Sequence, residues 1–203
     1  MPGSSSGDSP KPFRGAAEAG LSSASFLTAL AGLAIGFLML YLPYWWCRRR
    51  GEREEDWGLS WFMGPGAWRD TLLALVLTLA PLTLVSLNWP QEWGGPGPRH
   101  PSLLGALNLL GGGVAAAFIE ETFFRGWLQT LAVRRWGPWR GIPLTTLLFA
   151  LSHLVAMPAW LRLATFFPGL VMGVLRHRNG SVLPAIVYHA LCNVWAVWWA
   201  PLP

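Results

Sequence analysis

The sequence predicts an all-α membrane protein, a polytopic bundle of about six transmembrane helices with a conical polar cavity among the last four. Of the 203 residues, 53% are hydrophobic and only 12% are charged, whereas soluble domains average about 25% charged residues. The apolar residues form runs close to the ~20 residues that cross a bilayer as a helix. The 14 Trp residues are typical of the aromatic belts at membrane–water interfaces.

The chain is expected to have three parts. Residues 1–20 are rich in Gly, Ser and Pro, which predicts a disordered tail. Residues 21–100 should hold two N-terminal transmembrane helices and their loops, and residues 101–203 a helical core. The first apolar run is about 25 residues long, too long for the h-region of a signal peptide, so we expect a retained anchor. The six predicted spans are about 22–46, 71–89, 103–133, 142–156, 160–175 and 181–200.

Irregularities among these runs predict local features. The third run is too long for one straight span and should tilt or project beyond the bilayer. The fourth and fifth runs are short, and Pro158 between them predicts a tight hairpin or partly re-entrant helices. Gly111–Gly113, Gly169 and Gly173 offer small surfaces for close helix packing. Simple tolerance of Gly in membrane helices explains these glycines equally well.

Charge and cysteine usage exclude some classes of protein. The formal charge of +5 does not predict nucleic-acid binding, because the basic residues lie in short clusters between apolar runs. Lys11 is the only lysine among the 15 basic residues, which fits a bacterial genome rich in G and C. Two cysteines do not make a disulfide framework.

The apolar runs and the composition together predict a multi-pass protein of the bacterial inner (cytoplasmic) membrane. Its oligomeric state is left open.

Few ionisable residues fall inside the predicted spans. Of the ten acidic residues and four histidines, only Glu120, Glu121, His153 and His189 do so, together with Arg125. Each such group raises the free energy of membrane insertion by on the order of 3 kcal/mol near the bilayer centre. A helix that served only as an anchor would not need to carry several of them. Glu121 and Arg125 are spaced i, i+4 and can pair on one helical face. Glu120, about 100° round the helix, then faces elsewhere.

Two further helices carry polar groups at the same spacing: Phe149 with His153, and His189 with Asn193. If the three polar faces converge, they enclose a wet cavity inside the membrane. A carboxylate and an imidazole can take a proton from water and return it to a leaving amine. A second imidazole and an amide can donate to the oxyanion of an attacked carbonyl. This set of one carboxylate, two imidazoles and one amide suits peptide hydrolysis by an activated water.

A metal-dependent version of this chemistry stays open. Glu120, His153 and His189 could hold Zn²⁺ with an open position for water. The zincin motif HExxH is absent from the sequence. We therefore favour hydrolysis without a cofactor, with zinc as the alternative.

The polar motifs closely resemble those of the CPBP family of intramembrane proteases, also called the CAAX-protease and bacteriocin-processing (Abi) family. The EExxxR motif of that family appears at Glu120–Arg125, its FxxxH motif at Phe149–His153 and its HxxxN motif at His189–Asn193. All three follow in the order of the family. The resemblance covers about residues 103–200, so residues 101–203 are expected to be the catalytic core.

The resemblance implies a glutamate-dependent intramembrane endopeptidase. Glu120 and His153 would activate the water, and His189 and Asn193 would stabilise the oxyanion. The remaining motif residues would support the architecture: Glu121, Arg125 and Phe149. In the family, eukaryotic members trim prenylated C-terminal tails, while bacterial members act on other membrane-associated substrates, including the C-terminal sorting segments cut by myxosortases.

Other readings stay open beside this one. The glutamates could be a structural ion-pair cluster with Arg125, and Asn193 could serve only as a hydrogen bonder between helices. The whole protein could be a non-catalytic bacteriocin-immunity or scaffold protein, or a small transporter that uses Glu120 in a proton relay. In each reading the partners are the lipid bilayer and, for a protease, a membrane-anchored peptide or protein substrate.

Overall fold

The described residues are mostly helical and include no strand, which confirms the all-α prediction. The computed structural model of the chain describes residues 23–88, 101–156 and 160–199. The predicted tail at residues 1–20 and the turn at Pro158 lie outside these ranges. The six helices of the described ranges are α1 (Ser23–Arg50), α2 (Pro65–Asn88), α3 (Leu103–Trp136), α4 (Pro138–Ala156), α5 (Phe166–Asn179) and α6 (Leu183–Trp199).

Three of these helices are long and apolar enough to cross a membrane: Phe26–Arg50 within α1, all of α2 and all of α3. Many of their large apolar side chains are exposed, as expected for a surface that faces lipid. By contact clustering the chain divides into two compact units, Met1–Ile35 and Gly36–Pro203. The described part of the first unit is the N-terminal stretch of α1. Every contact discussed below lies within the second unit.

Helix α3 is longer than a bilayer core is thick. Its 34 residues correspond to about 51 Å at 1.5 Å per residue, against roughly 30 Å of hydrocarbon, in line with the expected excess length. The helix is not uniform, because Thr122–Leu128 forms a π-helical turn between the α-helical parts Leu103–Glu121 and Gln129–Trp136. Such turns often occur at functional sites.

Three helix starts differ from the predicted spans by four residues or more. Helix α2 begins at Pro65 rather than near residue 71. Helix α4 begins at Pro138 rather than near residue 142. Gly137, at φ 75°, ends α3, and a proline fits the first turn of the next helix because its missing N–H has no partner there. Trp160–Thr165, predicted as the start of the fifth span, forms a 3₁₀ turn, and α5 itself begins at Phe166.

A loop at residues 51–64 connects α1 to α2 and ties helix ends together. Glu52 accepts a 2.7 Å hydrogen bond from Arg134 at the end of α3. The backbone N–H of Val182 donates to Gly58 O at 2.8 Å, which anchors the residue before α6. Trp57 is buried in a small core with Cys47 and Leu59. The loop therefore fixes where α3 ends and where α6 begins.

Polar bonds also hold α6 against α2. Tyr188 Oη donates to Thr78 Oγ1 at 3.1 Å, and Trp195 Nε1 donates to Thr83 Oγ1 at 2.8 Å. The main core lies between α3, α4, α5 and α6. Its buried members are Phe124, Phe149, Met172, Leu175, Ala185 and Tyr188.

Close packing at Gly169 and Gly173 is confirmed, whereas the Gly111–Gly113 stretch is only partly packed. A Cβ at Gly169 would lie 2.8 Å from Thr146 Cγ2, and one at Gly173 would lie 2.6 Å from Ile142 Cγ2. Gly111 and Gly112 have open space around them. Gly113 is packed, since a Cβ there would lie 3.0 Å from Asn193 Cβ.

Candidate active site

Glu120 on α3 and His153 on α4 lie together, and both side chains are 24% exposed. His153 Nε2 is 3.8 Å from Glu120 Oε2. His153 Nδ1 donates to Phe149 O at 3.0 Å, which places the proton of the neutral ring on Nδ1 and leaves the Nε2 lone pair facing the carboxylate. Glu120 Oε2 is buried and has no hydrogen-bond partner among the described residues. The gap is too long for a direct hydrogen bond.

Glu121 faces a different helix from its neighbour. Its Oε1 accepts a 2.9 Å hydrogen bond from His189 Nδ1 on α6, and its Oε2 lies 3.4 Å from Arg125 Nε. Glu121 and Arg125 are both fully buried. Sequence spacing predicted the pairing of Glu121 with Arg125, and the structure confirms it. The bond to His189 was not predicted, because spacing along one helix carries no information on which residue of another helix lies opposite.

Arg125 connects the carboxylate to two more helices. Its Nη2 donates to Gly169 O on α5 at 3.1 Å, and its guanidinium carbon lies 4.4 Å from the centroid of the Phe149 ring on α4. The carboxylate, the carbonyl and the aromatic face stabilise the buried guanidinium, while its Nε and Nη1 have no hydrogen-bond partner among the described residues. Arg125 therefore joins α3, α4 and α5 one turn from the two glutamates.

Phe149 lies between the two histidines. Its ring centroid is 4.5 Å from that of His153 and 6.0 Å from that of His189, which it meets edge to face. The structure thus places Phe149 as an apolar wall that orients both imidazoles. The supporting role suggested by the sequence for Phe149 stays a prediction.

Asn193 lies one turn beyond His189 on α6 and bonds to α3. Its Nδ2 donates to Gly113 O at 2.9 Å. The amide has two N–H groups, so one remains for another acceptor. The contact with Gly113 explains why this glycine, unlike Gly111 and Gly112, is packed.

A zinc site was the alternative prediction for Glu120, His153 and His189. Among the described residues, no three His, Cys, Asp or Glu side chains are grouped so that they could hold a metal ion. His189 is turned toward Glu121 by its Nδ1 bond, while His153 faces Glu120. The described residues therefore give no support for a three-ligand zinc site, and the metal dependence of the reaction stays a prediction.

An apolar groove of about 820 Å³ runs along α3. Leu107, Gly111, Val114 and Phe118 of α3 line it, with Leu40 of α1 and Val194 of α6. Neither Glu120 nor His153 belongs to its lining. This groove is therefore distinct from the polar cavity that the sequence predicted.

One buried polar residue near the site escaped the sequence reasoning. Gln129 lies on α3 four residues after Arg125, is fully buried, and donates from Nε2 to Gly173 O at 2.9 Å. The signal was available, because Gln129 extends the i, i+4 series of Glu121 and Arg125. It was overlooked because it belongs to none of the three motifs.

Comparison with known proteins gives one finding. The family model described as type II CAAX prenyl endopeptidase, Rce1-like, matches residues 102–195. The matched range contains all the polar residues of the candidate site, on α3, α4 and α6. No curated protein and no solved structure gives a significant match.

Proposed function

We propose that the chain is a CAAX-type intramembrane endopeptidase that cuts by a glutamate-dependent mechanism, a proposal supported by the Rce1-like family model that matches residues 102–195. In this proposal Glu120 and His153 activate a water molecule that attacks a peptide bond of a membrane-associated substrate near its C-terminus. His189 and Asn193 stabilise the oxyanion. Glu121, Arg125 and Phe149 hold these groups in place.

One observation carries the proposal: the 3.8 Å gap between His153 Nε2 and Glu120 Oε2, at a buried carboxylate oxygen without a hydrogen-bond partner among the described residues. Two acceptors at this separation suit a water that donates one hydrogen to each of them. Its oxygen then has its lone pairs free to attack. A buried acceptor that lacks a protein partner is costly, and such a water would relieve that cost.

The reaction then needs only these groups. As the water oxygen bonds to the carbonyl carbon, one of its protons passes to the Glu120–His153 pair, and the carbonyl oxygen becomes an oxyanion. When the C–N bond breaks, the same pair returns the proton to the leaving nitrogen. A positioned general base and acid of this kind contributes roughly 10²–10⁴-fold to the rate.

His189 and Asn193 suit the oxyanion role because each keeps a hydrogen-bonding group after its structural bond, a ring nitrogen in His189 and a second N–H in Asn193. His189 uses Nδ1 for Glu121, so its Nε2 is available, and it donates when the ring carries both protons. Asn193 uses one N–H for Gly113 and keeps the second. The two residues share one face of α6, one turn apart, as two donors to a single oxygen require.

We propose that no metal takes part. The arrangement of donors supports this, since no three His, Cys, Asp or Glu side chains among the described residues are grouped so that they could hold a metal ion. The Glu120–His153 pair supplies the general base and acid, and His189 and Asn193 supply the donors to the oxyanion. Together these groups provide what peptide hydrolysis requires. Activity that persists through exhaustive chelation, and that added Zn²⁺ does not raise, would agree with this.

The test compares the C-termini of membrane proteins in cells with and without this protein. Wild type and a Glu120→Gln variant are expressed in the deletion strain, with Glu55→Gln in the exposed loop as the matched control. We expect one or a few shortened C-termini that depend on wild type and on Glu55→Gln and that disappear with Glu120→Gln. The residues removed, and any lipid on the residue that remains, identify the tail as prenylated or as an unmodified sorting segment. Full processing by Glu120→Gln would end the proposal.

A further inference from the structure

We propose that Gln129 is a positioning residue that fixes the depth of α3 along α5 and thereby the separation of Glu120 from His153. The inference rests on the proposed role of that pair in activating water. Gln129 itself lies nine residues beyond Glu120, about 13 Å along the helix axis, so it would act through the packing of helices rather than by touching the reacting atoms.

Three side-chain bonds join α3 to α5. In one of them Arg176 Nη2 of α5 donates to Thr130 Oγ1 of α3 at 2.7 Å, and the other two lie one turn apart. Arg125 Nη2 donates to Gly169 O at 3.1 Å, and Gln129 Nε2 donates to Gly173 O at 2.9 Å. The donors are four residues apart on α3, and the acceptors are four residues apart on α5. The two helices are therefore matched at two consecutive turns by donors that reach specific backbone carbonyls.

Helix α4, which carries His153, packs on the same two glycines. Atoms of Thr146 and Ile142 lie where a Cβ at Gly169 or Gly173 would come. Phe149 and His153 follow on later turns of α4. The Gly169–Gly173 turn of α5 is thus a common seat: α3 contacts it with polar side chains and α4 with apolar ones.

Polar bonds are needed at this seat because apolar contacts alone define depth poorly in a membrane. Lipid tails are as apolar as Ile or Leu, so no hydrophobic force holds one helix at a fixed height against another. A hydrogen bond to one carbonyl does fix the height. Arg125 is also held by Glu121 on its own helix, whereas Gln129 is uncharged and its Oε1 lacks a hydrogen-bond partner among the described residues. A substitution of Gln129 can therefore remove its bond to Gly173 without disturbing the carboxylates.

The experiment uses the full chain in detergent or liposomes and the substrate identified by C-terminal proteomics. Gln129→Met keeps the length of the side chain and removes its N–H. The matched control is Thr145→Val on α4, which removes a buried hydrogen bond to the carbonyl of Gly141 in the same helix. We expect Gln129→Met to lower kcat about tenfold and to change KM less than about twofold, since a misplacement of ~1 Å can cost ~10²-fold. Thr145→Val should leave both constants near wild type.

A second measurement reads the geometry without using activity. Cysteines replace Glu120 and His153 in a background with Cys47→Ala and Cys192→Ala, and bifunctional thiol reagents of graded length are tested for crosslinking. We expect Gln129→Met to change the reagent length that joins the two cysteines, and Thr145→Val to leave it unchanged. An unchanged optimal length, or an unchanged kcat, in Gln129→Met would overturn the positioning role. Continued cleavage by Glu120→Gln would instead overturn the proposed chemistry, whatever the crosslinks show.

Discussion

Glu120 and Glu121 are neighbours in the chain, yet their carboxylates engage histidines on two different helices. Glu120 Oε2 lies 3.8 Å from His153 of α4, and Glu121 Oε1 accepts a hydrogen bond from His189 of α6 at 2.9 Å. The first carboxylate is partly exposed, while the second is fully buried and also paired with Arg125. One glutamate can therefore meet water and substrate, and the other joins the helices.

This division predicts different losses for the same substitution at the two positions. Glu120→Gln keeps the shape of the side chain and removes the base, so we expect cleavage to fall at least ~10²-fold, the lower range for a general base, with thermal stability near wild type. Glu121→Gln leaves the buried guanidinium of Arg125 without its carboxylate. Breaking a buried pair in this way costs about 3–5 kcal/mol, so we expect a clear loss of stability.

Paired measurements of cleavage rate and of the thermal midpoint in detergent check this contrast. Equal stability losses at the two positions would contradict the separation of roles. A Glu121→Gln protein as stable as wild type would show that His189 and Arg125 do not depend on that carboxylate.

Local spacing in the sequence predicted part of this site, and the remainder depends on contacts between helices. The i, i+4 rule gave the pairing of Glu121 with Arg125 because both residues lie on one helix. It could not assign His153 to Glu120 and His189 to Glu121, since that choice depends on the relative depth of α3, α4 and α6. The apolar pattern of the third span likewise gave a long helix but not the π-helical turn inside it, because that turn changes backbone bonding without changing hydropathy.

The space around each glycine predicts different effects for Gly→Ala substitutions at Gly169 on α5 and at Gly112 on α3. In Gly169→Ala the new methyl group would lie 2.8 Å from Thr146 Cγ2 and 3.2 Å from Arg125 Nη2, so α3 or α4 must shift. Overpacking of this kind costs about 1–3 kcal/mol. In Gly112→Ala the methyl group meets nothing within 4 Å, and the helix propensity of Ala exceeds that of Gly by about 1 kcal/mol.

We therefore expect Gly169→Ala to lower the thermal midpoint and the cleavage rate, and Gly112→Ala to leave both unchanged or to raise the midpoint slightly. Circular dichroism melting in one detergent, with the cleavage assay, measures both. A neutral Gly169→Ala would mean that α4 and α5 are not in the close contact described here.

The loop at residues 51–64 should loosen in acid. Hydrogen bonds from Arg134, then from Arg50, and a further one from Trp57, lower the pKa of Glu52 from 4.5 to about 2. Because the pKa is lower in the folded protein than in the unfolded chain, the stabilisation is fully present above about pH 4.5 and is lost as the pH falls toward 2. Glu52 lies at the solvent-exposed edge, so salt should weaken the effect.

An acid-active protease that cuts this loop provides the measurement. We expect the rate of cutting within residues 51–64 to rise as the pH falls from 5 toward 2, after correction for the protease's own pH profile. In Glu52→Gln cutting should already be fast at pH 5 and should depend little on pH, while Asp56→Asn should behave as wild type. A wild-type pH profile in Glu52→Gln would show that another group controls the loop.

Asn193 tests whether an amide at a helix contact also takes part in the reaction. Its bond to Gly113 supports a purely structural role, whereas its place one turn from His189 supports oxyanion binding. Removal of a single oxyanion donor lowers kcat about 10²–10³-fold, which corresponds to about 2.7–4 kcal/mol. An average hydrogen bond between membrane helices contributes only ~0.6 kcal/mol to stability.

Another polar contact of α6 offers a control for Asn193. Thr83→Val on α2 removes the bond between Trp195 of α6 and α2 without altering a donor near the site. We expect Asn193→Ala to lower kcat at least ~10²-fold with little change in KM, and Thr83→Val to leave kcat within about twofold of wild type. If both variants lose activity only in proportion to a small loss of stability, Asn193 is a helix contact and the oxyanion must rely on His189 alone.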